Sequence, residues 1–261
     1  MAEAAAAGGR PRVLITGASG TIGRVLREGL QATHEVLGLD ARRGPGADVV
    51  ADARKLRRIR RHFEGIDVVI DLAAAASSRT QWKVVWKNNI PATVNTLEAA
   101  RLASVRRVVF ASSNHATGFY PTSRELRGDE PVRPDTLYGV TKVYGEALGR
   151  LYADKFGLEV ACIRIGTFDR RPATTRQLAT WLSPGDAVRL FTACLSAPGI
   201  GFAVVYGISA NTRRYWELEP ALALGYRPED DAERYAGDVQ EYQHLLQDGP
   251  FTERNVSGWA S

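Results

Sequence analysis

Apolar residues in the first two thirds of the chain follow two alternating patterns. Short apolar runs, typical of buried parallel strands, are followed by longer segments with apolar residues three to four positions apart, typical of helices. Strands are predicted at 12–16, 35–40, 47–52, 65–72, 107–112 and 160–165. Helices are predicted at 21–32, around 54–63, at 82–103 with an interruption at Pro91, and within 135–156. This alternation predicts an α/β fold with a doubly wound parallel sheet.

The last third of the chain differs in its residue composition and pattern. Proline, arginine and threonine crowd residues 169–176, which predicts an irregular loop. Ser183, Pro184 and Asp186 have the order of a serine cap, a first-turn proline and a first-turn acid, so a helix should begin there. Beyond it the pattern predicts two more elements, a strand at 203–207 and a short helix at 215–223.

The chain of 261 residues carries a formal net charge of +5, an excess that could attract an anionic ligand or nucleic acid. The densest basic segment is 54–61. Leu56, Ile59 and Phe63 recur there at helical spacing, which puts the basic side chains on the opposite, solvated face. No nucleic-acid partner is therefore predicted.

Cysteine and histidine positions bear on metal binding and on the compartment. Cys162 and Cys194 each lie in an apolar segment, which favours buried free thiols in a reducing cytoplasm over a disulfide. The four histidines are scattered, so no metal site is expected. No apolar run is long enough to span a bilayer, so no membrane partner is expected. The first residues include an acid and lack a basic cluster, and we expect a flexible leader at 1–10 rather than a targeting sequence.

A glycine-rich turn follows the first predicted strand. Gly17, Gly20 and Gly23 are three residues apart, and Thr21 and Ile22 open the helix behind them. Glycines allow a sharp turn and close backbone approach to a pyrophosphate, which rests on the positive end of the following helix. Strand, glycine turn and helix together predict a dinucleotide site.

The second predicted strand ends at Asp40, whose carboxylate can accept hydrogen bonds from the adenosine ribose and would repel a 2′-phosphate. NAD is therefore favoured over NADP, although Arg42 and Arg43 could neutralise a phosphate. Asp52 and Ala53 follow the third strand, where Asp52 either meets the adenine edge or is simply exposed.

Tyr138 and Lys142 are four residues apart on a predicted helix, so their side chains share one face. A nearby ammonium, like the positive nicotinamide ring, would lower the pKa of the phenol and make it an acid/base near neutral pH. Ser113 lies at the polar end of the fifth strand, where it could hold a substrate oxygen beside the tyrosine or stabilise a turn.

The glycine turn, Ser113, Tyr138 and Lys142 resemble, in order, the pattern of extended short-chain dehydrogenases/reductases. Within that superfamily the chain resembles uronate dehydrogenases through five strings, FASSNH at 110–115, LYGVTK at 137–142, RIG at 164–166, ATWLS at 179–183 and VVYGISAN at 204–211. The resemblance implies a Rossmann fold and NAD-dependent oxidation of the anomeric C1 hydroxyl of glucuronate or galacturonate to an aldarolactone.

The resemblance also implies roles for individual residues. Tyr138 would take the C1 hydroxyl proton, Lys142 would bind the nicotinamide ribose, and Arg176 would grip the substrate carboxylate. Ser113, Asn114 and His115 would hold sugar hydroxyls, with either Ala76 or Ser77 beside them. Further cofactor contacts are expected at Leu72, Ala73, Ala74, Asn89 and Thr167. Thr167 replaces the serine usual in the family, and the loop 168–175, with Arg170 and Arg171, is unlike the family's.

Three alternatives remain open from the sequence. An NAD-dependent dehydrogenase of another sugar, such as glucose 6-phosphate, shares the main strings, and a phosphate would suit Arg170, Arg171 and Arg176. A nucleotide-sugar epimerase would need more room than the short carboxy-terminal region provides. A non-enzymatic NAD sensor or nucleic-acid-binding protein usually lacks the tyrosine or the lysine.

The predicted organisation is one continuous structural unit. Residues 11–168 form the dinucleotide-binding domain, and 169–261 form a small carboxy-terminal substrate lobe packed on it. The segment from Gly249 is polar and weakly patterned, so it is expected to be disordered or to pack on a partner. The expected partner is a small sugar acid or sugar phosphate, and a homo-oligomer is expected by resemblance.

Overall fold

The computed structural model describes residues 9–76 and 81–253, and within these ranges seven parallel strands form one sheet. In chain order the strands are β1 (Arg12–Thr16), β2 (Glu35–Asp40), β3 (Val49–Val50), β4 (Val68–Asp71), β5 (Arg107–Ser113), β6 (Glu159–Ile165), β7 (Thr167–Phe168), β8 (Trp181–Leu182) and β9 (Phe202–Gly207). The main sheet has the order β3-β2-β1-β4-β5-β6-β9, and β7 pairs with β8 separately. The predicted doubly wound parallel sheet is confirmed.

Helices cover both faces of the sheet. They are α1 (Thr21–Leu30), α2 (Leu56–Ile59), α3 (Trp82–Leu102), α4 (Leu137–Phe156), α5 (Gln177–Thr180), α6 (Pro184–Ser196) and α7 (Glu219–Ala223). Successive residues of a strand point to opposite faces. Val13 and Ile15 of β1 accordingly pack towards α1 and α6, whereas Leu14 packs towards α2, α3 and α4.

The strand order reverses direction between β1 and β4. Along the chain, β2 and β3 are added on one side of β1, and β4, β5 and β6 are then added on the other side. In such sheets, ligands bind in the crevice outside the carboxyl ends of the strands at this switch point. The glycine turn after β1 and the small-residue segment after β4 lie at this crevice.

The carboxy-terminal third contributes to the main sheet. β9 pairs in parallel with β6 and forms the seventh strand of the sheet. The predicted helix start at Ser183 is confirmed, because its hydroxyl accepts a hydrogen bond from the Asp186 amide at 2.9 Å. The boundary at 168/169 remains a prediction.

Several predicted element bounds are wrong. α3 continues through Pro91 without interruption, although proline lacks the amide that would donate to the carbonyl four residues back. The third strand is reduced to Val49–Val50, and the helix predicted at 215–223 begins at Glu219. Most of the predicted leader, 1–8, lies outside the described residues.

Cys162 and Cys194 are buried free thiols, as predicted. In the described ranges, no helix combines the length and the apolar character needed to cross a membrane.

Candidate active site

The glycine turn after β1 is packed tightly between two elements. Gly17 has φ +67°, a left-handed conformation that favours glycine, and a Cβ there would lie 2.9 Å from the Leu72 carbonyl. A Cβ at Gly23 would lie 2.7 Å from the carbonyl oxygens of Gly17 and Ala18. Gly20 is the N-cap residue of α1, so Thr21 and Ile22 form the first turn of the helix at the crevice. The predicted strand–turn–helix arrangement is confirmed.

Asp40 lies beside this turn at the end of β2. Its Oδ2 accepts a hydrogen bond from the Ser19 amide at 3.0 Å, and its Oδ1 accepts one from the Arg42 amide at 3.0 Å. These bonds fix the carboxylate at the edge of the glycine turn, where a ribose contact was predicted.

Asp52 is engaged by a neighbour that the sequence argument did not consider. The Arg54 side chain donates to both of its carboxylate oxygens and lowers the pKa of Asp52. Ala53 is buried, and its carbonyl accepts a hydrogen bond from Asn95 Nδ2. The adenine contact of this pair remains a prediction.

The segment after β4 is held by side-chain hydrogen bonds. The Ala73 amide donates to Thr16 Oγ1 at 3.2 Å, and the Ala75 amide donates to Asn89 Oδ1 at 2.7 Å. Asn89 also donates from Nδ2 to Thr141 Oγ1 at 3.0 Å, so it ties this segment to α4. Leu72, Ala73 and Ala74 are half-buried at the crevice. Ser77 lies outside the described residues, whereas Ala76 is exposed.

Asp71, the last residue of β4, is a buried acid that sequence reasoning missed. Its Oδ1 accepts a hydrogen bond from Thr16 Oγ1 at 2.6 Å, while its Oδ2 has no hydrogen-bond partner in the described part of the chain. Burial raises the pKa of this carboxyl to about 6, against the opposing effects of the Thr16 bond and the Lys142 charge.

This raised pKa predicts a specific pH dependence of stability. Between pH 3.8 and about 6 the folded chain retains a proton on Asp71 that the unfolded chain has released, so stability falls as pH rises through this window. The loss from this group amounts to about 3 kcal/mol. Asp71→Asn should abolish this component, as measured by urea unfolding at a series of pH values. Asp129→Asn, at an exposed position, serves as the control, and an unchanged slope in Asp71→Asn would contradict the assignment.

The start of α4 is pressed against the turn that follows β5. Thr136 caps the helix by accepting a hydrogen bond from the Gly139 amide at 3.0 Å. A Cβ at Gly139 would collide with the carbonyl oxygen of His115, so only glycine permits this approach. Tyr138 consequently lies edge-on to His115, with ring centroids 5.8 Å apart.

Lys142 and Tyr138 are brought together on one face, as predicted. The Lys142 ammonium lies 5.5 Å from the centroid of the Tyr138 ring and donates a hydrogen bond to the Ala111 carbonyl at 2.7 Å. Burial lowers the pKa of Lys142 to about 8, in spite of the Asp71 charge. Burial also raises the pKa of Tyr138 well above 10. Contrary to the lowering expected from Lys142, the pKa of Tyr138 is thus raised, because desolvation disfavours the phenolate.

Ser113, Asn114 and His115 lie at the carboxyl end of β5 beside Tyr138. Ser113 ends the strand, and its Oγ accepts a hydrogen bond from the His115 amide at 3.2 Å, which fixes the 3-10 helical turn Asn114–Ala116. Ser113 and Asn114 are buried, and His115 is nearly so. The structure thus brings Ser113 to the same end of the sheet as Tyr138.

Two carboxylates that sequence reasoning missed converge on His115. His115 Nδ1 lies 2.9 Å from Asp135 Oδ1 and 2.8 Å from Asp248 Oδ2. Burial lowers the pKa of His115, but the charges of Asp248 and Asp135 outweigh burial and raise it to about 10. Burial raises the pKa of Asp135, whereas the charges of His115 and Arg176 hold the pKa of Asp248 below its ordinary value despite burial.

Arg176 enters this cluster from the loop before α5. Its Nη2 donates a hydrogen bond to Asp248 Oδ1, which also accepts one from Asn114 Nδ2. Its Nε donates to the Gln247 carbonyl at 2.9 Å. The sequence predicts that the segment from Gly249 is disordered or packs on a partner. Gly249–Thr252 does neither, because it forms a short 3-10 helix that packs on the same chain, with the Phe251 ring 5.1 Å from that of His115.

Residues 13–168 match the family model described as the NAD dependent epimerase/dehydratase family. The chain belongs to that family. The match covers the glycine turn, Asp40 and the Tyr138–Lys142 pair.

The matches to sequence relatives cover most of this chain. A uronate dehydrogenase of Agrobacterium fabrum is 39% identical over 88% of this chain and 89% of the relative. An L-arabinose 1-dehydrogenase (NAD(P)(+)) of Haloferax volcanii is 39% identical over 85% of this chain and 97% of the relative. An NAD-dependent glucose-6-phosphate dehydrogenase of the same organism is 34% identical, covering 85% and 95%. All three relatives are named as dehydrogenases of a sugar, a sugar acid or a sugar phosphate.

A solved structure gives the same result for the fold. A tyrosine-to-alanine mutant of uronate dehydrogenase from Agrobacterium tumefaciens, complexed with NAD, is 35% identical with a TM-score of 0.87, covering 95% of this chain and 99% of that one. The predicted resemblance to uronate dehydrogenases and the Rossmann fold are confirmed.

Two arginines lie in the loop 168–175 and a third, Arg176, follows it directly. Arg170 and Arg171 are exposed, whereas Arg176 is 6% exposed and faces the cluster. Thr167 lies close by, with its Oγ1 2.9 Å from Thr180 Oγ1. The planar fork of a guanidinium matches the geometry of a carboxylate or of a phosphate.

Proposed function

We propose that this chain oxidises the anomeric C1 hydroxyl of a hexuronate, glucuronate or galacturonate, to an aldarolactone, using NAD and Tyr138 as the general base. The observation that carries the proposal is the convergence of Tyr138, Lys142 and Ser113 at the carboxyl end of β5, beside the switch point of the sheet. The named activities of the relatives support the same reaction class.

The residues at the switch point fit NAD. The Ser19 hydroxyl is buried and lacks a hydrogen-bond partner among the described residues, as expected of a group that meets a phosphate. Gly17 and Gly20 carry no side chain that would keep a pyrophosphate away from the turn, and the Asp40 carboxylate lies beside it, where a ribose would bind. Asn89 and the segment 72–74 would line the nicotinamide side. Thr167 would close that side, and Asp52 with Ala53 would lie near the adenine.

Tyr138 Oη would accept the proton of the C1 hydroxyl. NAD, when bound, supplies the nicotinamide ring that takes the hydride from C1 and a positive charge that favours the phenolate. Lys142, whose ammonium lies 5.5 Å from the centroid of the Tyr138 ring, would hold the cofactor ribose, as the resemblance implies. Ser113 would bind the reacting oxygen and stabilise negative charge that develops on it.

Substrate binding would fall to the cluster on the other side of Tyr138. Arg176 would face the carboxylate at C5 through its guanidinium fork. Asn114 and His115 would bind ring hydroxyls. Ser77 is proposed as a further contact by resemblance alone.

A spectrophotometric screen tests this function. Purified chain should form NADH from glucuronate or galacturonate, with a preference for NAD over NADP and for uronates over glucose 6-phosphate. Turnover of glucose 6-phosphate above that of both uronates would favour the sugar phosphate instead. NAD that stays bound through purification, with no net NADH formation from any sugar, would favour an epimerase.

We also propose a cytoplasmic homo-oligomer. The two buried thiols, Cys162 and Cys194, suit a reducing compartment. α3 and α4 pack side by side and expose Trp86, Leu151 and Phe156, which a second copy could cover. Light scattering on the purified chain measures the assembly directly.

A further inference from the structure

Asp248 forms hydrogen bonds or ion pairs with three side chains that the proposed function assigns to the substrate. Its Oδ1 accepts hydrogen bonds from Arg176 Nη2 and from Asn114 Nδ2, and its Oδ2 lies 2.8 Å from His115 Nδ1. A carboxylate paired with the Arg176 guanidinium is the contact that a bound sugar acid would make. The chain therefore carries, on its own backbone, the chemical group that a uronate would bring.

The backbone holds Asp248 firmly in this position. Its neighbour Gln247 is fully buried and is fixed by side-chain bonds to Trp216 Nε1 at 2.7 Å and to the Arg124 carbonyl at 2.8 Å. The Gln247 carbonyl accepts further bonds from Tyr215 Oη at 2.7 Å and from Arg176. Moving the Asp248 carboxylate away from Arg176 would therefore disturb this buried hydrogen-bond network, because Asp248 is not a surface side chain that can simply rotate away.

The surroundings are shaped for two carboxylates. A Cβ at Gly118 would collide with Oδ2 of Asp135, and it would lie 2.5 Å from Oδ2 of Asp248. Glycine at this position leaves room for both acids beside His115.

Both cations of the cluster already have a carboxylate partner without a substrate. Asp135 and Asp248 face Arg176 and the His115 imidazolium, whose raised pKa favours the charged ring. A sugar acid would add a third carboxylate to this buried group, and burying an uncompensated charge is costly. An uncharged sugar adds no charge, and its hydroxyls can donate hydrogen bonds to Asp248.

We propose that Asp248 is a specificity-determining residue: by binding the guanidinium of Arg176, it lowers the preference of the site for a sugar acid over the uncharged sugar of the same ring configuration. The inference rests on the proposed C1 oxidation and concerns which C5 substituent the site favours. Removing the charge of Asp248 frees Arg176 for the substrate carboxylate. The effect should appear chiefly as a lower KM for uronates, because C5 is remote from the reacting C1.

The test compares matched sugars with the wild-type chain and Asp248→Asn. Galacturonate, galactose and L-arabinose share the ring configuration at C2 to C4 and differ in the C5 substituent, as do glucuronate, glucose and xylose. We expect the ratio of kcat/KM for the uronate to that for the matched uncharged sugar to rise by about tenfold or more in Asp248→Asn, through a lower uronate KM. A smaller rise, no change or a fall would overturn the proposal.

Control variants keep the outcome decisive. Asp238→Asn removes an exposed carboxylate from the same region and should leave the ratio as in the wild type. Asp248→Ser makes the same charge change with a smaller side chain. The kcat/KM ratio is measured with the Asp248 variant that retains a cooperative thermal transition, which shows that it is folded. Absence of NADH formation from every sugar in the wild-type chain would instead contradict the proposed function, so the two failures are distinguishable.

Discussion

Replacing Tyr138 with phenylalanine should lower kcat by about 10²- to 10⁴-fold, the range typical of losing a positioned general base. The variant keeps the ring that packs edge-on against His115 at 5.8 Å and removes only the hydroxyl. The glycine turn and Asp40 are untouched, so the affinity for NAD should stay close to that of the wild type. Initial rates of NADH formation and a titration of NAD by protein fluorescence measure the two quantities.

Tyr144→Phe is the matched control for this variant. Tyr144 lies on the same helix and is half-buried, and its hydroxyl is outside the cluster around Tyr138. It should retain near wild-type activity. If Tyr138→Phe kept kcat within about tenfold of the wild type, Tyr138 would not be the general base.

The second large effect concerns a buried ion pair below the site. Glu146 accepts hydrogen bonds from Arg164 Nε and Nη2, both at 2.9 Å, and from the Ser112 hydroxyl. The Arg164 and Glu146 side chains are 3% and 8% exposed, so removing either partner leaves a charge buried without compensation. We expect Glu146→Ala to lower the free energy of unfolding by about 3–5 kcal/mol.

A double-mutant cycle separates this penalty from general loss of packing. Arg164→Met removes the other charge, and the double variant Glu146→Ala, Arg164→Met should be more stable than Glu146→Ala alone, because no charge is stranded. Urea unfolding of the four proteins gives the coupling energy. Additive losses would mean that the pair contributes no interaction of its own.

The spacing of residues along α4 also explains the order of the site. Tyr138, Lys142 and Glu146 are spaced four residues apart on α4, so one helical face carries the proposed base, its cationic neighbour and the anchor to Ser112. The anchor at Glu146 thus fixes the strand end next to Ser113.

The sequence was sufficient for the features that depend on local pattern. Apolar runs predicted the strands of the sheet, and the glycine spacing predicted a turn that the backbone confirms at Gly17 and Gly23. The four-residue spacing of Tyr138 and Lys142 placed both on one helical face. Each of these follows from neighbours within a few residues.

The features that sequence reasoning missed depend on contacts between distant segments. His115 meets Asp135 from 20 residues away, and Asn114 meets Asp248 from 134 residues away. Neither acid lies in a periodic pattern, and both look like ordinary loop residues in the sequence. The burial that raises the pKa of Asp71 and of Tyr138 likewise depends on the assembled fold and not on any local motif.

The central claim is that hydride leaves C1 of a hexuronate for NAD. It can be tested by incubating the wild-type chain with NAD and glucuronate or galacturonate deuterated at C1, and analysing the products by mass spectrometry. One deuterium should be found in NADH, and the oxidised sugar should contain none. Retention of the label in the sugar, or NADH without deuterium, would contradict the account.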